Sequence, residues 1–123
     1  MKIQVGHSRD FDYQNELYIP LKENFKSGDI EWIFSHEGEN NGRLSEETLK
    51  GVDIFLAEVS YPATGLGIEL GFAYLYKKRI VCISQSGIKI SSSLKNICED
   101  FIEYVDLEDL SFKLRKYFKD FYK

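Results

Sequence analysis

Residues 52–59, with the sequence VDIFLAEV, decide the fold class that the chain predicts. Six of these eight residues are apolar and follow one another almost without interruption, whereas a strand with one solvated face alternates apolar and polar residues. A near-continuous apolar run of this length is typical of a parallel strand that is covered on both faces. The run therefore predicts the central strand of a parallel β-sheet.

Outward from this run, strand-like segments alternate with segments of helical periodicity. Tyr13, Leu17, Leu21 and Phe25, for example, recur at every fourth position. The alternation predicts an α/β fold, a flavodoxin-like, doubly wound, five-stranded parallel sheet with right-handed crossovers and helices on both faces. The predicted strands are residues 2–6, 30–34, 52–59, 79–84 and 101–105, and the predicted helices are residues 13–25, 45–50, 66–76, 94–98 and 107–122.

The length and charge of the chain narrow the classes of function. With 123 residues, 43% of them hydrophobic, the chain predicts a single domain over residues 1–123 that buries a core. A net charge of −4, from 16 Lys and Arg against 20 Asp and Glu, argues against nucleic acid and anionic membranes as partners. Small ligands remain as candidates.

We recognise no secretory leader and no membrane-spanning segment in the sequence, so we expect a cytoplasmic protein. Cys82 and Cys98 lack the spacing of a metal site and are expected to be reduced residues of the core. His7 and His36 also lack such spacing, and hydrogen-bonded loop positions are the alternative to an acid–base role for them. We therefore expect neither a metal nor a cofactor.

Ligands of doubly wound sheets bind beyond the carboxyl ends of the strands. In this chain the loops at those ends are residues 6–12, 35–42, 60–69 and 84–93, and the polar residues concentrate there. These loops define the region in which we expect the functional site.

Glu69 is the only acidic or basic residue between positions 59 and 76, apart from tyrosines. The sequence predicts that it lies in the first turn of a helix, where free backbone N–H groups and the helix dipole keep a shielded carboxylate ionised. Such a carboxylate suits a nucleophile or the partner of a developing cation. The alternative is a surface glutamate that complements the helix N-terminus. Gly65, Gly67 and Gly71 favour the first interpretation, because they suggest a backbone that closely approaches a ligand or the adjacent strand.

Residues 52–73, with the sequence VDIFLAEVSYPATGLGIELGFA, resemble the core signature of the nucleoside 2-deoxyribosyltransferase family. They most resemble its branch of deoxynucleoside 5′-monophosphate N-glycosidases. The resemblance implies that Glu69 attacks the anomeric carbon and forms a glycosyl ester, from which water releases the sugar or a second base accepts it. It also implies that Arg9 contacts the substrate phosphate, and that Ser93 binds phosphate across the interface of a homodimer.

The chain departs from that family at two positions. Ser45 stands where the family usually has an aspartate that helps to handle the base or the sugar. Ala63, six positions before Glu69, stands where the transferases have Asp and the nucleotide hydrolases have Ser, with Thr64 next to it. The missing aspartate favours hydrolysis over base exchange.

A departing base needs a proton or hydrogen bonds. Asp10 and Glu58 are the first candidates for this role, ahead of Asp12 and His36, because of their positions at strand ends or after turns. For Asp10 and Asp12 the alternative is a turn or a helix cap, and for Glu58 it is a salt bridge at the sheet edge.

The sequence predicts an enzyme that cleaves or exchanges the N-glycosidic bond of a (deoxy)nucleoside or its 5′-monophosphate, through a covalent intermediate on Glu69. The alternative is a module that binds a nucleotide or nucleotide sugar without chemistry. Three hydroxyls at positions 91–93 fit an anion site, or one of them caps the helix that follows. The predicted substrate contacts are Gly6, Ser8, Arg9, Tyr13, His36, Ser60, Thr64, Gly65, Gly67 and Ser93.

Overall fold

The computed structural model describes residues 1–26, 28–38 and 46–121. The strands in these ranges are β1 (Lys2–His7), β2 (Glu31–Phe34), β3 (Ile54–Glu58), β4 (Arg79–Gln85) and β5 (Asp100–Tyr104). They form one parallel sheet in the order β2-β1-β3-β4-β5. β3 is the middle strand, as its apolar run predicts. The predicted five-stranded parallel α/β fold is confirmed.

The crossovers between the strands carry helices. In the described ranges these are α1 (Ile19–Asn24), α2 (Glu46–Lys50), α3 (Thr64–Leu75) and a 3₁₀-helix, Ser92–Asn96, whereas α4 (Leu107–Phe121) follows the last strand. The predicted cap of α2, Ser45, lies outside the described residues.

Three predicted helices differ in detail from the observed ones. Residues 13–25 form a π-helical segment, Gln14–Tyr18, that continues into α1, where Pro20 fits the first turn because it needs no N–H partner there. α3 begins at Thr64 instead of at position 66, and the short helix predicted for residues 94–98 is the 3₁₀-helix. The earlier start of α3 changes the environment of Glu69.

Helices cover both faces of the sheet, as predicted, because strand side chains alternate between two core layers. On one face, Ile3, Leu56 and Ile83 pack with α1 and α4. On the other face, Phe55 and Cys82 pack with α3. We call these the α1/α4 face and the α3 face.

Cys82 and Cys98 are both buried with free thiols, so their predicted place in the core is confirmed. The Cys98 thiol donates to the carbonyl oxygen of Ile80 at 3.1 Å. In the described part of the chain, no helix has both the length and the apolar composition that crossing a bilayer requires.

Candidate active site

A cavity of about 260 Å³, which we call the Glu69 cavity, opens beyond the carboxyl ends of β1 and β2 and beside the start of α3. Three of the four predicted loops contribute to it, namely those after β1, β2 and β3. The predicted loop of residues 84–93 lines a different cavity. The Glu69 cavity is lined by His7, Ser8, Arg9, Asp10, Ser35, His36, Pro62, Ala63, Gly65, Leu66 and Glu69.

The Glu69 carboxyl is buried in the wall of this cavity, and Glu69 is only 7% exposed. The Ser35 hydroxyl donates to its Oε2 at 2.9 Å, and the Gln4 amide Nε2 donates to the same oxygen at 3.1 Å. Oε1 has no hydrogen-bond partner among the residues that the structure describes. One carboxylate oxygen is therefore held, and the other keeps its lone pairs available.

The groups that stabilise the buried Glu69 carboxylate are not the ones that the sequence predicted. Since α3 starts at Thr64, Glu69 lies in the second turn, beyond the free N–H groups of the first turn, and the predicted role of the helix N-terminus is wrong. Ser35 and Gln4 provide the hydrogen bonds instead. The alternative of a surface glutamate at the helix start is also excluded by the burial of the side chain.

Burial raises the pKa of the Glu69 carboxyl above its ordinary value, and the hydrogen bonds from Ser35 and Gln4 partly oppose this rise. A carboxylate that has lost water is a stronger nucleophile and a stronger electrostatic partner than an exposed one, because less solvent must be displaced when it reacts. The site therefore holds a poorly solvated carboxyl beside an open cavity.

Sequence reasoning missed Gln4 and Ser35 as site residues. The signal for Gln4 was a single amide inside the apolar strand segment of residues 2–6, at a position that is 4% exposed. Ser35 directly follows β2, and its backbone N–H donates to the Val5 carbonyl at 3.1 Å, which fixes its place beside β1. A lone polar residue in a buried strand is informative because burial of an amide requires a partner.

Two imidazoles contribute to the wall of the Glu69 cavity. His7 is buried, its Nδ1–H donates to the Ser8 carbonyl at 2.7 Å, and its Nε2 accepts a short hydrogen bond from the Tyr18 hydroxyl. Burial lowers the pKa of His7 to about 4, which keeps the ring neutral at neutral pH. The Tyr18 hydroxyl in turn accepts from the His36 backbone N–H at 3.0 Å. Burial and the nearby Arg9 charge lower the pKa of His36 as well.

The turn after β1 brings three predicted residues to the cavity. Ser8 is buried, and its hydroxyl accepts from the Asp10 backbone N–H at 3.0 Å, which shapes the turn. Arg9 and Asp10 are exposed residues of the lining. Asp12 accepts from the side-chain amide of Asn15 at 2.8 Å, so its alternative assignment as a local turn residue fits the structure better than a place in the site.

Glu58, predicted as a proton donor, does not reach the Glu69 cavity. It points to the α1/α4 face and is fully buried, where the Tyr104 hydroxyl and the Ser60 backbone N–H donate to its carboxyl. Its alternative assignment, a salt bridge at the sheet edge, is wrong too, because β3 is the central strand. Burial raises the pKa of Glu58.

A second cavity of about 390 Å³ lies on the other side of the segment that leads into α3. It contains three predicted substrate contacts, Ser60, Gly67 and Ser93, and we call it the Ser93 cavity. The two cavities share Pro62, Ala63 and Leu66 in their walls. Within one chain, the structure therefore separates Ser93 from Glu69.

The remaining predicted contacts have other surroundings. Tyr13 and Thr64 line neither of the two cavities, and the Tyr13 ring lies 4.4 Å from the His7 ring between centroids. The close approach to the adjacent strand that three glycines of α3 suggested is not observed. A Cβ built at Gly65, Gly67 or Gly71 meets no described atom within 4 Å.

The short helix after the Ser-rich loop is capped by Ser91, whose hydroxyl accepts from the Ser93 backbone N–H at 3.3 Å. This supports the capping alternative for one of the three hydroxyls. At the start of α3, Ala63 occupies the N-cap and offers no side-chain cap. Across the described ranges, His, Cys, Asp and Glu side chains do not gather in groups of three or more that could hold a metal ion.

Two curated proteins with the same name are similar to part of this chain. Over 55 residues it is 38% identical to 5-hydroxymethyl-dUMP N-hydrolase of Homo sapiens, and over 74 residues it is 35% identical to 5-hydroxymethyl-dUMP N-hydrolase of Tetraodon nigroviridis. The comparisons confirm the resemblance to the deoxynucleoside 5′-monophosphate N-glycosidase branch. The matches cover 43% and 50% of this chain, and they span 32% and 51% of the length of the human and the Tetraodon protein, about half or less. No protein-family model matches the chain.

Solved structures support the fold. CMP N-glycosidase BcmB of Clostridium botulinum superposes with a TM-score of 0.67 at 17% identity, covering 93% of this chain and 98% of that protein. A flavodoxin-like domain from Synechococcus gives a TM-score of 0.51 at 14% identity, covering 85% of this chain and 83% of that domain. The predicted flavodoxin-like architecture is confirmed by both.

Proposed function

We propose that this protein hydrolyses the N-glycosidic bond of a (deoxy)nucleoside 5′-monophosphate through a covalent intermediate on Glu69. The observation that carries the proposal is a buried carboxyl in a cavity wall, with one oxygen held by Ser35 and Gln4 and the other without a partner among the described residues. Breaking an N-glycosidic bond develops positive charge at the anomeric carbon, which such a carboxylate stabilises and captures.

The reaction proceeds in two displacements. Glu69 attacks the anomeric carbon, the bond to the base breaks, and its electron pair leaves with the base, which takes up a proton. Water then attacks the anomeric carbon of the glycosyl ester, the carbon–oxygen bond electrons return to the Glu69 carboxylate, and the proton that the water loses replaces the one that the base took up. The sum is nucleotide plus water giving free base plus sugar phosphate.

The proton for the base comes from the polar side of the Glu69 cavity. Asp10 and His36 both line it, and they are the two candidates that the structure brings near Glu69. His36 serves as a hydrogen-bond donor in its neutral form, because burial and Arg9 lower its pKa. Both assignments stay open in this proposal, whereas Glu58 has no part in it.

The names of the two curated relatives favour water as the acceptor and a 5′-monophosphate as the substrate. The decisive assay incubates the purified protein with a panel of nucleosides and 5′-monophosphates and separates released bases by chromatography. Release of base from at least one monophosphate is expected. If no member of the panel yields free base, the proposed reaction is wrong.

We propose that Arg9, on the open side of the Glu69 cavity, binds the substrate phosphate. Arg9→Ala is expected to lower kcat/KM for a 5′-monophosphate by roughly 10- to 100-fold, the scale of one lost charge-assisted hydrogen bond, and to leave the matching nucleoside unaffected. Steady-state kinetics on the pair of substrates checks this. Arg115→Ala, in α4, is the matched control and should change neither value. Equal losses on both substrates for Arg9→Ala would contradict a phosphate contact.

Ala63 favours one second candidate, a module that binds a nucleotide or nucleotide sugar without chemistry, because it leaves the N-cap position of α3 without a polar side chain. Calorimetric titration with the same panel separates the two candidates. Binding of a nucleotide with no release of base would support the binding module.

We also propose a homodimer in which Ser93 serves the neighbouring site. Beyond Thr64 at its start, Glu69 is the one charged residue of α3, and the helix exposes the large side chains of Ile68, Tyr74 and Leu75. Gly67 and Gly71 of the same helix line the Ser93 cavity. A helix without a polar face is normally buried on more than one side, so a second copy is the occupant we expect.

Light scattering coupled to size exclusion tests the dimer. The unchanged protein should elute at twice the chain mass of 14.3 kDa, and Gly71→Arg should shift it to the monomer. Gly28→Arg is the matched control, since a side chain at either glycine meets no described atom within 4 Å. A monomeric unchanged protein, or equal effects of both substitutions, would contradict the interface.

A cytoplasmic location is part of the same proposal, because Cys82 and Cys98 carry free thiols, which suits a reducing compartment. Fractionation of cells with an antibody to the protein checks this location, and recovery in a secreted fraction would contradict it.

A further inference from the structure

We propose that Gln4 and Ser35 are positioning residues that hold Oε2 of Glu69 and thereby assign Oε1 as the atom that attacks the sugar. This inference rests on the proposed function. It further identifies the carboxylate oxygen that reacts and the two side chains that orient it. It is carried by the geometry of three buried side chains from β1, the end of β2, and α3.

Both donors converge on a single oxygen. The Ser35 hydroxyl lies 2.9 Å and the Gln4 Nε2 lies 3.1 Å from Oε2, and the Gln4 amide also donates to the Ser35 hydroxyl oxygen at 3.3 Å. All three residues are at most 7% exposed. A carboxylate that accepts two hydrogen bonds on one oxygen cannot rotate freely, so Oε1 stays in a fixed direction.

The two donors are themselves fixed by the sheet. Gln4 lies in the paired part of β1, opposite Ile33 of β2. The Ser35 backbone extends that ladder by donating to the Val5 carbonyl. Placement by strand backbone is more precise than placement by a free loop, which suits a pair of groups that must orient a reacting atom.

The presence of an amide at position 4 does not stabilise the fold. With Nε2 turned toward Glu69, the Gln4 Oε1 is buried and has no hydrogen-bond partner among the described residues. An unpaired buried carbonyl oxygen destabilises a fold, whereas an apolar side chain would continue the pattern of Ile3 and Val5 on the buried strand. A buried amide that lacks one hydrogen-bond partner, such as Gln4 beside Glu69, is expected where a side chain serves activity at the expense of stability.

The same two bonds serve both displacements. In the first step they hold Oε2 while Oε1 forms the bond to the anomeric carbon, and the released electron pair leaves with the base. In the second step water attacks that carbon and returns a proton to the group that protonated the base. The Oε1–carbon bond breaks, and the negative charge that returns to the carboxylate is stabilised at Oε2 by both donors.

The test compares Ser35→Ala and Gln4→Met with the unchanged protein. Each variant should lower kcat by roughly 10- to 1,000-fold with little change in KM, because the donors act on the nucleophile and not on substrate binding. The acid limb of the kcat/KM profile should move to higher pH, since the lost donors no longer oppose the effect of burial on the Glu69 pKa. Ser35→Thr, which keeps a hydroxyl, should recover most of the rate.

Ser111→Ala is the matched control, because Ser111 is a buried serine of α4 that lies outside the Glu69 cavity. The titratable groups around Glu69 are the same in every variant, so a shift of the acid limb reports on the two donors. These groups are His7, Arg9, Asp10, Tyr18 and His36.

A second measurement does not depend on turnover. Carbon-13 NMR titration of the Glu69 carboxyl should give a higher pKa in Ser35→Ala and Gln4→Met than in the unchanged protein, with folding checked by circular dichroism. An unchanged carboxyl pKa in folded variants, or an unchanged kcat in an active protein, overturns the positioning role. Absence of base release from the unchanged protein overturns the proposed function instead, so the two failures are distinguishable.

Discussion

Glu69→Gln is expected to abolish base release and, at the same time, to raise the free energy of unfolding at neutral pH. Loss of the attacking oxygen should lower kcat by at least about 1,000-fold, as is usual when a covalent nucleophile is removed. Glutamine has the same shape, and its carbonyl oxygen still accepts from Ser35 and Gln4 at the position of Oε2. The variant therefore relieves a buried charge without leaving a cavity.

The gain in stability has a defined pH dependence. Burial raises the folded-state pKa of Glu69 above the unfolded-state value, so the folded state holds this proton more tightly. The unchanged protein therefore loses stability as the pH rises from the ordinary glutamate range through the raised folded-state pKa, and the loss is complete above it. Glutamine does not titrate, so the stability difference between the two proteins should grow over that range and then stay constant.

Denaturant unfolding of both proteins at several pH values measures this difference, for which we expect about 0.5–2 kcal/mol at neutral pH. Glu58→Gln is the matched control, since Glu58 is as deeply buried but faces the other side of the sheet. It should retain measurable base release. Full activity of Glu69→Gln, or an equal loss in both variants, would contradict the assignment of Glu69 as the nucleophile.

The fold could be predicted because its determinants are local. The apolar run of residues 52–59 indicates a strand covered on both faces, and β3 is indeed the centre of the sheet. The alternation of strands and helices then leaves few topologies, because parallel strands need crossovers of one hand. Short-range periodicity also placed α4 correctly, since the predicted helix begins at position 107 and the described helix, Leu107–Phe121, begins there and continues to the last described residue.

Details of the helices were harder to predict because they depend on tertiary packing. The sequence predicted that α3 begins at position 66, whereas the helix begins at Thr64 with Ala63 as its N-cap. A shift of two residues moved Glu69 from the first turn to the second and changed the groups that compensate its charge. Likewise, four-residue periodicity cannot distinguish an α-helix from the π-helical segment Gln14–Tyr18.

The site was only partly predictable because its contacts are distant in sequence. Gln4 and Glu69 are 65 positions apart, and Ser35 and Glu69 are 34 apart. Glu58 illustrates the same limit. Its position at a strand end was predicted correctly, but strand residues alternate between faces, and only the placement of α3 decides which face borders the Glu69 cavity.

Gly6→Ala is expected to destabilise the protein by about 1–3 kcal/mol, although alanine suits a β-strand better than glycine does. A Cβ at Gly6 would lie 2.5 Å from Cζ of Phe55 and 3.2 Å from Cδ1 of Leu66, on the α3 face. Phe55 is fully buried in β3, so its ring has no free volume into which to move. Thermal unfolding measures the effect, which should lower Tm by several degrees.

Two control variants test whether the loss of stability in Gly6→Ala comes from the contact with Phe55 or from any replacement of glycine by alanine. Gly67→Ala, in α3 with no described atom within 4 Å of the new Cβ, should raise the stability by about 0.5–1 kcal/mol. In a Phe55→Leu background the smaller side chain gives room, so Gly6→Ala should cost clearly less there than in the unchanged protein. Equal losses of stability in both backgrounds would show that Phe55 is not the obstacle.

Because Leu66 also lines the Glu69 cavity, its displacement by the new methyl group of Gly6→Ala should narrow the site and lower base release along with stability.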